Sequence, residues 1–329
     1  MFSAAVELLL NVAWREATAR RHPHLTVEHL LYVLAHDAEA DPLLADWGLD
    51  SVLIGSYKRH VSIRRIKDVD VFCRLECMPS EVTGDEVIDE LQRVLGDEYG
   101  AGAVTRQARS LKVQAASWGG LHVDAVPARP AGPYWEIPDH DNPSDGGWQL
   151  TNPEDMTRLK TMMNQRMNDL YVPAVKLMRQ TRRATGLGRR PGGLYVEMAL
   201  YRACDLGYVT GDDLRTFYVS ALNGVARVTT DKVKFGQEIP DPTLPGYDLA
   251  FRATDDQWKR AEAKFAEVAV DAAKALNDTR CGEAAIFHRL LGKNTDDEWV
   301  YPLPEDCNAD GTTKSQIQVG EGSVRGGDQ

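Results

Sequence analysis

The sequence predicts an α+β fold, in which a mixed core of strands and helices is followed by a helical second lobe. Short apolar runs with strand-like alternation fall between residues 51 and 128. After Thr151, apolar residues recur every three or four positions, which is typical of amphipathic helices. Residues 129–148 are rich in Pro, Gly and Asp, and they predict a long loop between the two regions.

The first fifty residues predict a short helical appendage. Ser3 is a good N-cap for an amphipathic helix over 3–20, and Thr26 is a second N-cap candidate. A short helical piece around 42–47 ends near Gly48. We therefore expect residues 1–50 to form a helical segment of their own.

Residues 51–150 predict the mixed core, and each element follows from its local pattern. The predicted elements are an apolar run over 51–57 that contains the small-residue turn Gly55-Ser56, a strand over 68–75, a helix over 84–96, and strands over 111–114 and 121–128.

Residues 151–304 predict the helical lobe. Thr151-Asn-Pro-Glu154 has the pattern of a capping box with Pro in the first turn, and Thr254-Asp-Asp-Gln257 caps the clearest amphipathic stretch. Further helices are predicted over 170–183, 194–206 and 212–222. Residues 305–329 are polar and glycine-rich, and they predict a flexible tail.

Composition excludes several classes of protein. The chain has 329 residues with 43% apolar residues, which is typical of a soluble globular protein of about two domains. No run reaches the ~18 apolar residues of a membrane helix, and the N-terminus lacks the basic region of a signal peptide. A net charge of −11 argues against stable binding to duplex nucleic acid.

The five cysteines form no disulfide framework by their number or spacing. Cys73 and Cys77 lack the second ligand pair of a zinc site, so ordinary thiols are favoured over a metal site. These features predict a reducing compartment and a cytoplasmic protein.

Three aspartates carry the strongest chemical signal. Asp68 and Asp70 are two apart on a predicted strand, so both carboxylates face the same side. Asp124 lies within a second apolar run, and a neighbouring strand would add it to that face. Because like charges raise each other's pKa, such a set favours a bound cation. Solvated carboxylates at a strand end remain the alternative for the Asp68–Asp70 pair alone.

Hard oxygen ligands of this kind suit magnesium, and two such ions can activate a hydroxyl and stabilise a leaving pyrophosphate. The turn Gly55-Ser56 would offer backbone N–H groups and a hydroxyl to the terminal phosphates. The sequence therefore predicts two Mg²⁺ or Mn²⁺ ions together with nucleoside triphosphates.

A basic stretch stands out in this acidic chain. Six Lys and Arg residues fall within the fifteen residues from Lys176 to Arg190, with no Asp or Glu among them. Lys176, Arg179 and Arg183 share a helix face and could meet a triphosphate together. A solvated basic helix face is the alternative for the arginines.

Several of these segments resemble the nucleotidyltransferase superfamily of DNA polymerase β. More closely, the chain resembles the bacterial CD-NTases, which are the oligonucleotide cyclases of anti-phage CBASS systems, over roughly residues 51–304. The segments that carry the resemblance are Gly55-Ser56-Tyr57-Lys58, Ile66-Lys67-Asp68-Val69-Asp70-Val71, Val123-Asp124-Ala125-Val126-Pro127, Gly147-Trp148 to Pro153, Ile239-Pro-Asp-Pro242 and the helix of Trp258.

The resemblance implies a polymerase β-like fold and roles for particular residues. It implies Asp68, Asp70 and Asp124 as metal ligands and Gly55 and Ser56 as phosphate contacts. Lys176 matches a lysine of the family, and Glu197 is kept in register. The Ser of the family's Ser-aromatic-x-Leu-Glu run is absent from Gly193-Leu-Tyr-Val-Glu197, which puts base selectivity in doubt.

The implied activity is metal-dependent synthesis of a cyclic di- or trinucleotide second messenger in anti-phage defence, with CBASS accessory proteins acting on the C-terminal tail. One alternative is a nucleotidyltransferase that modifies tRNA or protein, as toxin–antitoxin relatives do. Residues 1–50 also resemble one repeat of the ClpA/ClpC N-terminal domain, so a Clp-type partner, or a non-catalytic Clp-type adaptor, is a further alternative. A helical hairpin that supports the core is the simpler interpretation of that segment.

Overall fold

The computed structural model describes Leu44 and residues 46–63, 68–114, 122–140, 147–188 and 190–314. The predicted helical segment 1–50 lies almost entirely outside the described residues, and the Clp resemblance lies there with it. The chain divides into two compact units. The first comprises the residues up to Lys176 and Glu238–Ala250, and the second comprises Leu177–Gln237 and the residues from Phe251 onward. The division falls within the helix that begins at Tyr171.

The first unit is a mixed α/β structure, as predicted. Its strands are β1 (Leu49–Ile54), β2 (Asp68–Leu75), β3 (Val104–Arg106), β4 (Leu111–Val113), β5 (His122–Ala131), β6 (Tyr134–Pro138) and β7 (Trp148–Thr151). Its helices are α1 (Gly55–Lys58), α2 (Gly84–Tyr99) and α3 (Pro153–Arg166), with a 3₁₀ turn at Ala101–Ala103; α4 (Tyr171–Ala184) crosses into the second unit.

The strands form one sheet in the order β1-β2-β5-β4-β3, and β6 and β7 extend it from the far half of β5. Among the described strands, β2 and β5 pair in parallel and the other pairs are antiparallel. Alternation along β2 sends Val69, Val71 and Leu75 into the hydrophobic core that includes Ile88 of α2. The opposite face of β2 therefore carries Asp68 and Asp70.

The loop predicted over 129–148 is wrong for much of its length. β5 continues through Ala131, Gly132 turns the chain at φ +63°, and β6 pairs back along β5. Trp135 of β6 packs edge-to-face on Phe72, with ring centroids 5.8 Å apart. The Pro and Gly residues thus mark a hairpin and not an irregular segment. Residues 141–146 lie outside the described chain.

The cap of α3 is one residue later than predicted. Thr151 ends β7, and the side chain of Asn152 accepts the N–H of Asp155 at 3.2 Å. Pro153 occupies the first turn, as the sequence indicates.

The second unit is helical, as predicted, with α5 (Gly193–Asp205), α6 (Leu214–Phe235), α7 (Asp255–Ala275) and α8 (Arg280–Leu291). Thr254 and Gln257 form the predicted capping box of α7. The helix predicted to end at Leu222 continues to Phe235, and Gly224 lies where α6 approaches α5 closely. A Cβ on Gly224 would lie 2.9 Å from the Cβ of Ala203 on α5.

The predicted flexible tail is wrong for residues 305–314, which belong to the second unit. A disulfide joins Cys307 to Cys281 of α8, with Cα atoms 5.2 Å apart. Arg280 forms an ion pair with Asp306, and the N–H of Lys314 donates to the carbonyl of Asp306 at 2.7 Å. Number and spacing of the cysteines did not indicate this disulfide, whereas Cys73 and Cys77 are free thiols, as expected. Residues 315–329 lie outside the described chain.

Among the helices that the structure describes, none is long and apolar enough to cross a membrane.

Candidate active site

The pairing of β2 with β5 brings the three predicted carboxylates to one face of the sheet. In the parallel register, Asp70 lies opposite Asp124, and Asp68 lies opposite His122. Residues paired across adjacent strands project to the same face, so the side chains of Asp68, Asp70 and Asp124 are neighbours. Asp68 is exposed, and the other two are half-buried.

The predicted phosphate turn begins directly beside this set. Ile54 of β1 pairs with Asp70, and Gly55 follows at φ +74°. A Cβ on Gly55 would lie 1.8 Å from Oδ2 of Asp70, so only glycine fits here. Ser56 is half-buried in the first turn of α1, where the first N–H groups of a helix have no partner within it.

The electrostatics of the site disfavour three bare carboxylates. Burial and the neighbouring Asp124 and Asp68 raise the pKa of Asp70 to about 6, against the lowering effect of Arg59. Burial also raises the pKa of Asp124; His122 and Lys112 lower it, and Asp68 raises it further. Among the described residues, the buried Oδ1 of Asp124 has no hydrogen-bond partner. A bound cation would relieve both the repulsion and the unsatisfied oxygen.

Three carboxylates are suitable ligands for a hard cation, but their oxygen atoms do not surround a single point. Within the described chain, the one group of three or more ligand side chains with all donor atoms within 4.8 Å is Cys281, Asp306 and Cys307, whose sulfurs form the disulfide. The three aspartates are therefore not gathered around a single point. Magnesium sites of this open kind are completed by water and substrate phosphates.

Two basic residues of this face were missed by the sequence interpretation. Lys112 of β4 lies opposite Asp124, and His122 of β5 lies opposite Asp68. The alternation of Leu111, Lys112 and Val113 was a usable signal, because two core-facing neighbours place the lysine on the carboxylate face.

The predicted basic helix face separates into residues with different surroundings. Lys176 is exposed on α4. Arg179 forms a salt bridge of 3.1 Å with Glu197 and donates to the carbonyl of Gly193 at 3.3 Å. Glu197 is 0% exposed, and Arg183 donates to the carbonyl of Lys293. The guanidinium groups of Arg179 and Arg183 are thus engaged by the protein itself, and Glu197 is a buried counter-ion. Their placement does not support the predicted contacts with a nucleotide.

Comparisons with known proteins agree with this geometry. Residues 45–164 match the family model described as "Second Messenger Oligonucleotide or Dinucleotide Synthetase domain". The curated cyclic UMP-AMP synthase of Rhodothermus marinus is 24% identical over 239 residues, which cover 64% of this chain and 80% of the relative.

Two solved structures share the fold of this chain at low sequence identity. CdnC of E. coli MS115-1, solved with ATP, has a TM-score of 0.60 at 16% identity and covers 89% of this chain and 91% of its own. DncV of Vibrio cholerae has a TM-score of 0.58 at 13% identity, with 87% of this chain and 80% of its own chain covered.

The chain has the polymerase β-like nucleotidyltransferase fold that these solved structures share. Residues 45–164 are similar to the synthetase domain of that model, and both sequence comparisons indicate a nucleotidyltransferase.

Proposed function

We propose that this enzyme joins nucleoside triphosphates into a cyclic di- or trinucleotide second messenger for anti-phage defence. The observation that carries the proposal is the register of β2 and β5, which sets Asp70 opposite Asp124 with Gly55 packed on Asp70. The relationship to a cyclic UMP-AMP synthase supports a cyclic product.

Asp68, Asp70 and Asp124 would hold two Mg²⁺ or Mn²⁺ ions. When bound, such ions supply charge neutralisation at the reacting phosphate and make a substrate hydroxyl more acidic. The raised pKa of Asp70 and the unpartnered oxygen of Asp124 are what we expect of ligands without their cation.

The residues of the chain then divide the work of nucleotidyl transfer. A 2′- or 3′-hydroxyl oxygen attacks the α-phosphorus, a new P–O bond forms, and pyrophosphate leaves with the electron pair of the broken bond. Gly55 and Ser56 hold the departing phosphates through N–H groups and the Ser56 hydroxyl. Asp124 would assist deprotonation of the hydroxyl as a ligand of the metal, and Lys176 would offset triphosphate charge.

The relatives suggest substrates and partners to test first. The Rhodothermus marinus relative is named for UMP and AMP, and CdnC was solved with ATP, so ATP and UTP are the first candidates. CdnC was also solved in a complex with a HORMA protein. We propose a cytoplasmic enzyme whose residues 315–329 serve CBASS accessory proteins, with no role for duplex nucleic acid; a Clp-type partner would act through residues 1–50.

The test is product analysis. Purified protein is incubated with Mg²⁺ and mixtures of α-³²P nucleoside triphosphates, and the products are treated with alkaline phosphatase. A ring has no terminal phosphate, so we expect a labelled product that survives this treatment. Asp124→Asn protein is the matched control and should give none.

The outcomes separate the alternatives. Label transferred to added tRNA or to protein, with no resistant nucleotide, would replace the cyclase by a modifying enzyme. Label in neither fraction across all nucleotide mixtures and candidate accessory proteins would count against the proposed reaction.

A further inference from the structure

One row of side chains crosses the site face of the sheet from edge to edge. Each member is the register partner of the next, so all of them project to the same face. In strand order the row is Ile54 on β1, Asp70 on β2, Asp124 on β5, Lys112 on β4 and Thr105 on β3. Lys112 is the cation of this row, and it lies on the side of the aspartates away from the Gly55-Ser56 turn.

Lys112 is not used as a structural counter-ion. Leu111 and Val113 on either side of it are buried in the core, while Lys112 is half-buried on the opposite face. It lies directly opposite Asp124 in the register of β4 with β5. In the described part of the chain, the Lys112 side chain forms no hydrogen bond and no ion pair within 4 Å, and Oδ1 of Asp124 has no hydrogen-bond partner. The half-buried ammonium of Lys112 therefore remains available to a ligand.

The geometry of displacement at phosphorus assigns a side to each substrate. The attacking and leaving oxygens lie roughly in line on opposite sides of the reacting phosphorus. If the leaving pyrophosphate lies at Gly55-Ser56, beside β1, the attacking hydroxyl approaches from the side of β4. We infer that the ammonium of Lys112 binds a phosphate of the acceptor nucleotide and so positions its hydroxyl. This inference rests on the proposed function.

The experiment uses one nucleotide that can act only as the donor and another that can act only as the acceptor. A dideoxynucleoside triphosphate labelled at the α-phosphate can donate but has no hydroxyl to accept. An α,β-methylene nucleoside triphosphate can accept but cannot donate. A phosphate-free nucleoside is the second acceptor. Lys112→Met removes the charge at similar length, Lys112→Arg restores it, and Arg93→Met removes a cation from the exposed face of α2 as the control.

We expect Lys112→Met to raise the KM of the phosphorylated acceptor about 10-fold, as for a lost charge-assisted contact, with the donor KM within about 2-fold. The KM of the phosphate-free nucleoside acceptor should be the same in Lys112→Met as in the wild type. Lys112→Arg should recover most of the loss, and Arg93→Met should match the wild type. An equal rise in the KM of both acceptors would show that Lys112 has a structural role. A rise in the donor KM alone would place Lys112 at the donor nucleotide. Either result overturns the inference.

A binding measurement keeps this test independent of turnover. With the donor site filled by an α,β-methylene dideoxynucleoside triphosphate, calorimetry reports binding of a second nucleotide to wild type and Lys112→Met. Absence of turnover in the wild type would count against the proposed function. Unchanged second-site affinity in Lys112→Met would count against the role of Lys112.

Discussion

The carboxylate face of the first unit and the charged interior of the second unit use ionised side chains in opposite ways. In the first, Asp70 and Asp124 are half-buried with raised pKa values, and one oxygen of Asp124 has no partner among the described residues. In the second, Glu197 is fully buried and its charge is met by Arg179. Charges left without a partner are available to a ligand, whereas paired buried charges specify the fold.

This difference changes the interpretation of the basic helix. Spacing alone places Lys176, Arg179 and Arg183 on one face and suggests a single triphosphate site. In the structure, Arg179 pairs with Glu197 and Arg183 donates to the carbonyl of Lys293, whereas Lys176 is exposed. Substitutions of unpaired charged residues should therefore change catalysis or ligand binding, whereas substitutions of paired charged residues should change stability.

The largest expected effect is on catalysis. Asp124→Asn and Asp70→Asn should each reduce pyrophosphate release by at least about 1,000-fold, because loss of a metal ligand removes several kcal/mol of transition-state stabilisation. Circular dichroism should show an intact fold. Asp97→Asn, on the exposed surface of α2, is the control and should retain activity. Near-wild-type turnover in either site variant would refute the assignment.

The next effect is on stability. Glu197→Ala should lower the free energy of unfolding by about 3–5 kcal/mol, because it leaves the Arg179 charge buried without its counter-ion. Glu267→Ala, which breaks the exposed pair with Lys264, should cost less than about 1 kcal/mol. Urea denaturation measures both. Unchanged stability together with weaker nucleotide binding would instead restore Glu197 to the nucleotide site.

The disulfide between Cys281 and Cys307 should stabilise the attachment of residues 305–314 to the second unit. Cys281→Ser, or reduction with a dithiol, should lower the free energy of unfolding by about 2–4 kcal/mol. Truncation after Lys314 should leave the melting temperature unchanged, and truncation after Pro304 should lower it. Cys77→Ser is the matched control, because Cys77 is exposed and outside the disulfide. Equal melting temperatures for the two truncations would show that residues 305–314 add no stability.

The ionised carboxylate of Asp70 should lower the free energy of unfolding of the metal-free protein. Its pKa rises from 3.8 to about 6 on folding, so the protonated form is favoured in the folded state. This contribution to stability is full below about pH 3.8 and is lost as the pH rises through about 6. Metal-free Asp70→Asn should therefore exceed the wild type in stability at pH 7–8 by up to about 3 kcal/mol.

Urea titrations between pH 4 and 8 with a chelator measure this difference, which should shrink toward pH 4. Adding Mg²⁺ should narrow it by stabilising the wild type. An Asp70→Asn protein that is less stable at every pH would contradict the argument.

The smallest effect is expected for Lys176. Lys176→Ala should weaken nucleoside triphosphate binding about 10-fold without weakening nucleoside binding, because the lysine offsets phosphate charge. Its melting temperature should not change, since the side chain is exposed. Arg183→Ala is the comparison and should lower the melting temperature while leaving triphosphate affinity intact. Equal losses for ATP and adenosine would make Lys176 structural.

Local patterns predicted the elements that present the site. Alternation gave β2 with its observed bounds, Asp68–Leu75, and the capping box of α7 was visible at Thr254. Local patterns failed where a distant partner decides the outcome. Pro and Gly residues suggested a loop where β6 pairs with β5, and the helix predicted to end at Leu222 continues to Phe235.

The sequence by itself determined the mixed core, the helical second lobe and the spacing that puts Asp68 and Asp70 on one side of a strand. These follow from backbone periodicity, which acts over a few residues. Only the tertiary structure decided that Asp124 lies opposite Asp70, that Lys112 lies beyond it, and that Cys307 pairs with Cys281. Such pairings depend on strand register and packing between segments far apart in the chain, and no local pattern encodes them.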